Sequence, residues 1–356
     1  MKKAAVVGTG FGCLTHVRAL RRAGFEVPVL VGRDSVRTRA RAVRFEVDHA
    51  CTSLAEALTH DVDVVTIATP PDTHTAIALE AIAAGKHVVC EKPFALDRAQ
   101  ARRMRDAAAR AGVVALLGCE FRFAPDQALL ARVVRDGAIG DPKLATFMLH
   151  IPLLGSPAAE VPEWWSDRER GGGWLGAHGS HVVDQIRVTL GEFSSVSATL
   201  PSVSEHDWTA EDAYLVQFRM RSGAVGVMQA VASDWGPMLF VTRVAGSKGS
   251  AWTDAGKVFV ADASGAREIP IPDDLVVDPP DPPPSDVLTS AYDLLHATGI
   301  DMGPYTRLFE RLAALIDRVA IPPDPAPATF TDGVANMTVL DAIRRSANLR
   351  EWVDIP

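Results

Sequence analysis

Val6-Val7-Gly8-Thr9-Gly10-Phe11-Gly12-Cys13, near the start of this chain, constrains its fold more than any other segment. An apolar run over residues 3–7 precedes it. An amphipathic stretch over residues 14–23, closed by Gly24, follows. Strand, glycine-rich turn and helix in that order make the opening of a phosphate-binding unit. Gly8 and Gly10 let the chain turn tightly and bring backbone N–H groups close to a pyrophosphate. The helix N-terminus then favours the anion. The third glycine of the strict pattern falls at Cys13, a small residue preceded by Gly12, so close helix–strand packing is expected there. The same glycines interrupt the apolar start, which therefore reads as a buried strand and not as a leader.

Alternation continues after that turn. Residues 27–31 read as a second strand and the β-branched run 62–68 as a third, buried one. A helix over 75–84 stops at Gly85, and a short strand covers 87–90. Asp97 and Gln100 have capping-box spacing for a helix that runs through Ala111 to Gly112, and a strand over 113–118 follows. Strands separated by helices pair in parallel, because parallel neighbours need a crossover. The pattern changes near Phe123. A helix over 127–135 and another after Gly171-Gly172-Gly173 precede a strand-rich region from 195 to 271, with turns such as Arg221-Ser222-Gly223. No crossover-length helix intervenes there, so an antiparallel sheet is expected. The Pro-rich stretch 279–284 reads as an extended surface arm. Helices return at 305–319 and 331–346. The expected organisation is an α/β dinucleotide-binding (Rossmann) domain over 1–122 and an α+β domain with a large, mostly antiparallel open sheet over 123–356.

Composition narrows the function classes. The chain has 356 residues, 47% of them hydrophobic and 22% charged, which is enough for a core without staples. Its net charge of −8 disfavours a protein that neutralises nucleic-acid phosphates. No apolar stretch reaches the roughly 18 residues of a membrane span. Cys13, Cys51, Cys90 and Cys119 show no metal-ligand spacing, so no metal site is expected. They read as small core residues in a reducing cytoplasm.

The place where a carboxylate holds the ribose hydroxyls of NAD, about 20 residues past the glycines, reads Val31-Gly32-Arg33-Asp34. Glycine replaces the acid and Arg33 follows, with Arg37 and Arg39 beyond. A guanidinium there suits a 2′-phosphate, which points to NADP. In the other reading Asp34 turns inward to the ribose of NAD and the arginines form a solvated helix face.

Two further segments complete a pattern. Thr69-Pro70-Pro71-Asp72-Thr73-His74 follows the buried strand at its C-terminal end, where ligands bind in open α/β sheets. Then comes Gly85-Lys86-His87-Val88-Val89-Cys90-Glu91-Lys92-Pro93. With the opening turn these resemble the Gfo/Idh/MocA oxidoreductases, named for glucose–fructose oxidoreductase, inositol dehydrogenase and MocA. The resemblance extends through Phe121-Arg122-Phe123-Ala124-Pro125, Gly137-Ala138-Ile139-Gly140-Asp141-Pro142 and Trp164-Trp165. It continues to Gly179-Ser180-His181-Val182-Val183-Asp184 and Ala245-Gly246-Ser247-Lys248-Gly249.

That resemblance implies hydride transfer between a nicotinamide and a carbinol carbon of a sugar, cyclitol or similar small polyhydroxylated molecule. It implies Lys92 and His181 as the acid–base pair. An oxidised nicotinamide beside a lysine favours the neutral amine. The implied cofactor contacts are Gly8, Gly10, Phe11, Gly12, Cys13 and Arg33, then Thr69, Pro70, Pro71 and His74, and finally Glu91, Lys92, Pro93 and Glu120. The implied substrate contacts are Lys92, Arg122, Trp164, Trp165, Arg168, His178 and His181. Tryptophan faces suit sugar C–H surfaces, although Trp164 and Trp165 equally suit a hydrophobic anchor.

Two positions depart from the family pattern. Ala177 stands where many members have an aspartate four residues before the histidine. Glu120 stands where asparagine is frequent, and either His178 or Glu120 could compensate for Ala177. Besides a dehydrogenase or reductase, two readings stay open: a non-catalytic dinucleotide-binding sensor, and a glycosidase that uses tightly bound NAD. The open sheet implies a homodimer or homotetramer.

Overall fold

The computed structural model describes residues 1–156 and 159–356. They form two units, Met1–Phe123 with Val277–Val334, and Ala124–Val276 with Ala335–Pro356. The first cut falls one residue past the expected boundary. The expectation of one uninterrupted domain from 123 onward is corrected, since residues 277–334 return to the first unit.

In the first unit, strand β1 (Lys3–Val7) enters a π turn (Gly12–His16) that continues into helix α1 (Val17–Arg22). Strand β2 (Glu26–Val31), helix α2 (Ser35–Arg44), strand β3 (His49–Cys51) and the short helix α3 (Leu54–Ala57) follow. Next come β4 (Val64–Ile67), α4 (Pro71–Ala83), β5 (His87–Glu91), α5 (Arg98–Ala111) and β6 (Ala115–Gly118). All neighbours in the six-stranded sheet are parallel, in the order β3-β2-β1-β4-β5-β6. That order reverses between β1 and β4, which creates the crevice where dinucleotides bind. Asp97 caps α5 by accepting from the Gln100 N–H, and Gly112 ends it in the left-handed conformation. Helix α4 begins four residues earlier than expected, because Pro71 fits the first helical turn.

The second unit opens with α6 (Pro125–Arg135), β7 (Pro142–His150), α7 (Glu163–Ser166), a π turn (Leu175–Gly179) and α8 (Ser180–Leu190). Strands β8 (Phe193–Thr199), β9 (Ala213–Met220), β10 (Val225–Val231) and β11 (Leu239–Gly246) follow, then β12 (Ser250–Asp254), β13 (Lys257–Asp262) and β14 (Gly265–Ile269). Strand β9 alternates, with Tyr214, Val216, Phe218 and Met220 buried and Leu215, Gln217 and Arg219 exposed. One face of the sheet is therefore core, while Leu144, Leu215 and Val225 stay exposed. The sheet is mostly antiparallel, as expected, and β7 pairs parallel with β10.

Residues 277–334 hold α9 (Ala291–Leu295) and α10 (Met302–Ile316). The apolar face of α10 packs Tyr305, Leu308, Phe309 and Leu312 into one core with Leu14, Val17 and Leu20. The Pro-rich arm is likewise tied to α1, where Arg22 donates to Asp281 at 2.7 Å and Arg18 pairs with the same carboxylate. Helix α11 (Phe330–Leu349) and strand β15 (Val353–Asp354) end the chain, and β15 completes the nine-stranded order β14-β13-β12-β11-β7-β10-β9-β8-β15. No helix of the described residues is long and apolar enough to cross a membrane.

Candidate active site

The glycines of the opening turn divide the work between them. Gly8 has φ +126°, and a Cβ there would lie 2.2 Å from the Ala68 carbonyl oxygen. A Cβ on Gly10 would meet nothing within 4 Å, so that side of the turn is open to a ligand. At Gly12 a Cβ would lie 2.9 Å from Val6 Cγ1. Close helix–strand packing thus falls at Gly12, and Cys13 is buried in the same core as Ala4 and Val6. Burial of Cys13 pushes its thiol up to about 12. Phe11 also turns inward, its ring 4.5 Å from His296 and 5.5 Å from Tyr305. The backbone of the turn could hold the pyrophosphate of a dinucleotide.

At the end of β2, a Cβ on Gly32 would lie 2.5 Å from Thr9 Cγ2 and 2.6 Å from Thr38 Oγ1, so an acidic side chain has no room. Asp34 caps α2 instead, its Oδ1 accepting from the N–H groups of Val36 and Arg37, both at 2.9 Å. Those two bonds, Arg37 first, hold its carboxyl below the usual range. Arg33 is exposed beside it.

Thr69 and Pro70 follow β4 and lead directly into α4. His74 is a buried brace between two loops. Its Nε2 lies 2.8 Å from the Thr69 carbonyl and its Nδ1 3.1 Å from the Pro93 carbonyl. Burial lowers its proton affinity, so the neutral ring ties these two loops together.

Lys92 and Pro93 follow β5 directly. The preceding Glu91 is 5% exposed and sits among donors. His16 Nε2 donates to its Oε1 at 3.0 Å, the Tyr305 hydroxyl donates to the same oxygen, and the Lys92 N–H donates to Oε2 at 3.2 Å. Gly118 makes room, since a Cβ there would lie 2.2 Å from that Oε1. Desolvation opposes the charge, but the His16 bond and charge, then Lys92 and Tyr305, outweigh it and hold the carboxyl below its ordinary range. Glu120 behaves oppositely. Desolvation first, then Asp301 and Glu91, push its carboxyl well up, while Lys92 pulls the other way. Arg122 makes an ion pair within the first unit. It is buried and donates to Asp332 at 2.9 Å.

In the second unit, His181 lies buried in the first turn of α8. Asp184, one turn on, accepts from Asn336 at 3.0 Å. His178 stacks on Trp174, with centroids 5.1 Å apart, and its Nδ1 lies 2.8 Å from the Tyr214 hydroxyl. Trp165 is 1% exposed and stacked between Trp164 and Trp174, so it anchors its segment and offers no face to a substrate. Trp164 is half-buried and Arg168 exposed. Glu211 accepts from the Leu175 N–H at 3.3 Å and braces the π turn. Burial pushes its carboxyl up.

Sequence reading missed His16, Tyr305 and Glu211. The one available signal was His16 alone on the apolar face of the helix expected over residues 14–23. Among the described residues no group of three or more His, Cys, Asp or Glu is placed to hold a metal ion.

Residues 2–119 match the model of the oxidoreductase family with an NAD-binding Rossmann fold, and residues 128–252 match the GFO/IDH/MocA C-terminal domain. Levoglucosan dehydrogenase of Pseudarthrobacter phenanthrenivorans is 28% identical over 330 residues, covering 83% of this chain and 80% of that protein. D-apiose dehydrogenase of Paraburkholderia graminis is 38% identical over 231 residues, 64% of this chain and little more than half (59%) of that protein. The crystal structure of an oxidoreductase domain protein from Kribbella flavida superposes with TM-score 0.83 at 28% identity, covering all of both chains.

Proposed function

The chain belongs to the Gfo/Idh/MocA family of oxidoreductases, and from that premise we propose that it is an NAD(P)-dependent dehydrogenase or reductase. Its substrate is a carbinol or carbonyl carbon of a sugar, a cyclitol or a related small molecule. The observation that carries this reading is Lys92 at the C-terminal end of β5, in the same unit as a glycine turn whose Gly10 is open to a ligand. The relatives named for levoglucosan and D-apiose support a sugar-like substrate.

When bound, a nicotinamide would supply the hydride chemistry. The backbone around Gly10 holds the pyrophosphate at the start of the π turn. Lys92 takes the hydroxyl proton when an alcohol is oxidised and returns it when a carbonyl is reduced. His181, His178, Trp164 and Arg168 of the second unit are the proposed substrate contacts. NADP is the preferred cofactor: Gly32 leaves no space for a ribose-binding acid, Asp34 is engaged as a helix cap, and Arg33 is exposed beside them. The exposed face with Leu144, Leu215 and Val225 supports a homodimer or homotetramer. A cytoplasmic setting accords with four free cysteines.

Lys92→Ala tests the reading. Turnover with a sugar panel should fall by roughly 10²–10⁴-fold while dinucleotide binding, followed by fluorescence titration, is retained. Unchanged turnover rejects Lys92. Dinucleotide binding with no turnover in the wild type would favour the non-catalytic sensor that Ala177 allows.

A further inference from the structure

We propose that Glu120 is the residue that stores and returns the proton handled by Lys92. This rests on the role given to Lys92 above. The sheet register places the two together: Glu91 pairs with Gly118 across β5 and β6, so Lys92 and Glu120 leave adjacent strands at the same end. Glu120 opens a 3-10 turn there and is 2% exposed. A carboxyl so buried must hold either a proton or a compensating charge.

Three buried acids of this unit act on one another. Glu91 accepts from His16, Tyr305 and the Lys92 N–H, which fixes it as an anion. Asp301, 4% exposed, lies 2.7 Å from His296 Nδ1. Glu120 is the third. Asp301 and Glu91 act on it with like charge, and Lys92 with the opposite one. Tyr292 and Tyr305, the hydroxyls that feel Glu120, keep their protons because burial disfavours the phenolates. When Lys92 is an ammonium, Glu120 is stabilised as a carboxylate. When Lys92 is a neutral amine, Glu120 stands desolvated between two anions and takes the proton.

In the direction of alcohol oxidation, the substrate O–H bond breaks and an N–H bond forms on Lys92, as the hydride leaves carbon for the nicotinamide. The Glu120 carboxyl, protonated while Lys92 was a neutral amine, then releases its proton to water and becomes a carboxylate beside the ammonium. An N–H of that ammonium breaks as a new O–H bond forms on Glu120, which restores the neutral amine beside a protonated Glu120. Carbonyl reduction runs these transfers in reverse. Position 177 is alanine, so the segment before His181 supplies no acid that could serve instead.

Infrared titration of the full chain without cofactor tests the storage site directly. Wild type should show a protonated-carboxyl C=O band that persists above the ordinary carboxylate range, and Glu120→Gln should lack it. Lys92→Ala should keep the band to still higher pH, because the compensating cation is gone. Glu120→Gln should also lower kcat on the order of 10²-fold with KM little changed and an altered acid limb of the rate profile. Glu120→Asp should recover part of the loss. A band that survives Glu120→Gln, or one that Lys92→Ala leaves unmoved, overturns the proposal. So does a folded Glu120→Gln protein with wild-type turnover and pH profile. Should Glu120→Gln not fold, the response of the wild-type band to Lys92→Ala decides alone. Full turnover in Lys92→Ala would instead remove the role of Lys92 and leave the infrared result to report the Glu120–Lys92 coupling.

Discussion

Both units start a helix through a π turn, Gly12–His16 before α1 and Leu175–Gly179 before α8, and each turn delivers a histidine. The extra residue of a π turn re-aims side chains, which is why such turns gather at functional sites. The two histidines meet different company. His16 is fully buried and paired with a carboxylate held as an anion, inside a core that also contains Tyr305 and Phe309. His178 lies flat on Trp174 and faces a neutral hydroxyl, in a stack continued by Trp165. One device fixes charge and the other fixes rings. The first is an electrostatic device and the second a packing one.

Two substitutions of similar size would break this contrast or sharpen it. His16→Ala leaves Glu91 buried without its partner and should cost about 3–5 kcal/mol of stability. Trp165→Ala empties a fully buried ring site and should cost about 3–5 kcal/mol. Urea unfolding at neutral and at acid pH separates them. Glu91 lies below its ordinary range in the folded state. Its contribution is therefore present above the unfolded-state value and is lost as the pH falls through the depressed one. His16→Ala should flatten that acid-side slope, whereas Trp165→Ala should leave it as in the wild type. Equal slopes in the two variants would mean that the His16 pair is no more electrostatic than the ring stack.

A smaller effect tests recognition on the same side. Arg33→Ala should weaken NADP binding roughly 10–100-fold, the worth of one or two charge-assisted hydrogen bonds, and leave NAD binding unchanged. Equal loss for both cofactors would move the 2′-phosphate site elsewhere. The smallest expected change in stability is for Gly10→Ala, within about 0.5 kcal/mol, since a Cβ there meets no atom within 4 Å. Dinucleotide affinity should nevertheless drop. A Gly10→Ala protein that binds as well as wild type would show that the turn does not touch the pyrophosphate.

Much of this was legible in local sequence. The glycine turn, the capping pair Asp97 and Gln100, and the alternation through residue 118 specify a parallel sheet, because helix and strand periods and cap chemistry act within a few residues. The β7–β10 parallel pair was not legible, since it depends on where a long connection returns the chain. His74, Arg122 and Trp165 sit in segments that pointed to ligand contact, and packing turned all three inward. An inward turn is set by neighbours distant in sequence, such as Asp332 for Arg122.

The order of residues alone determined the strand–turn–helix at the N-terminus, the lysine after β5 and the change of pattern near residue 123. Only the tertiary structure decided that α10 joins the Rossmann core, that Tyr305 and His16 close on Glu91 from 214 and 75 residues away, and that Glu120 is sealed among like charges. Burial and the partners of a buried charge are sums over the whole unit, and no local pattern contains them.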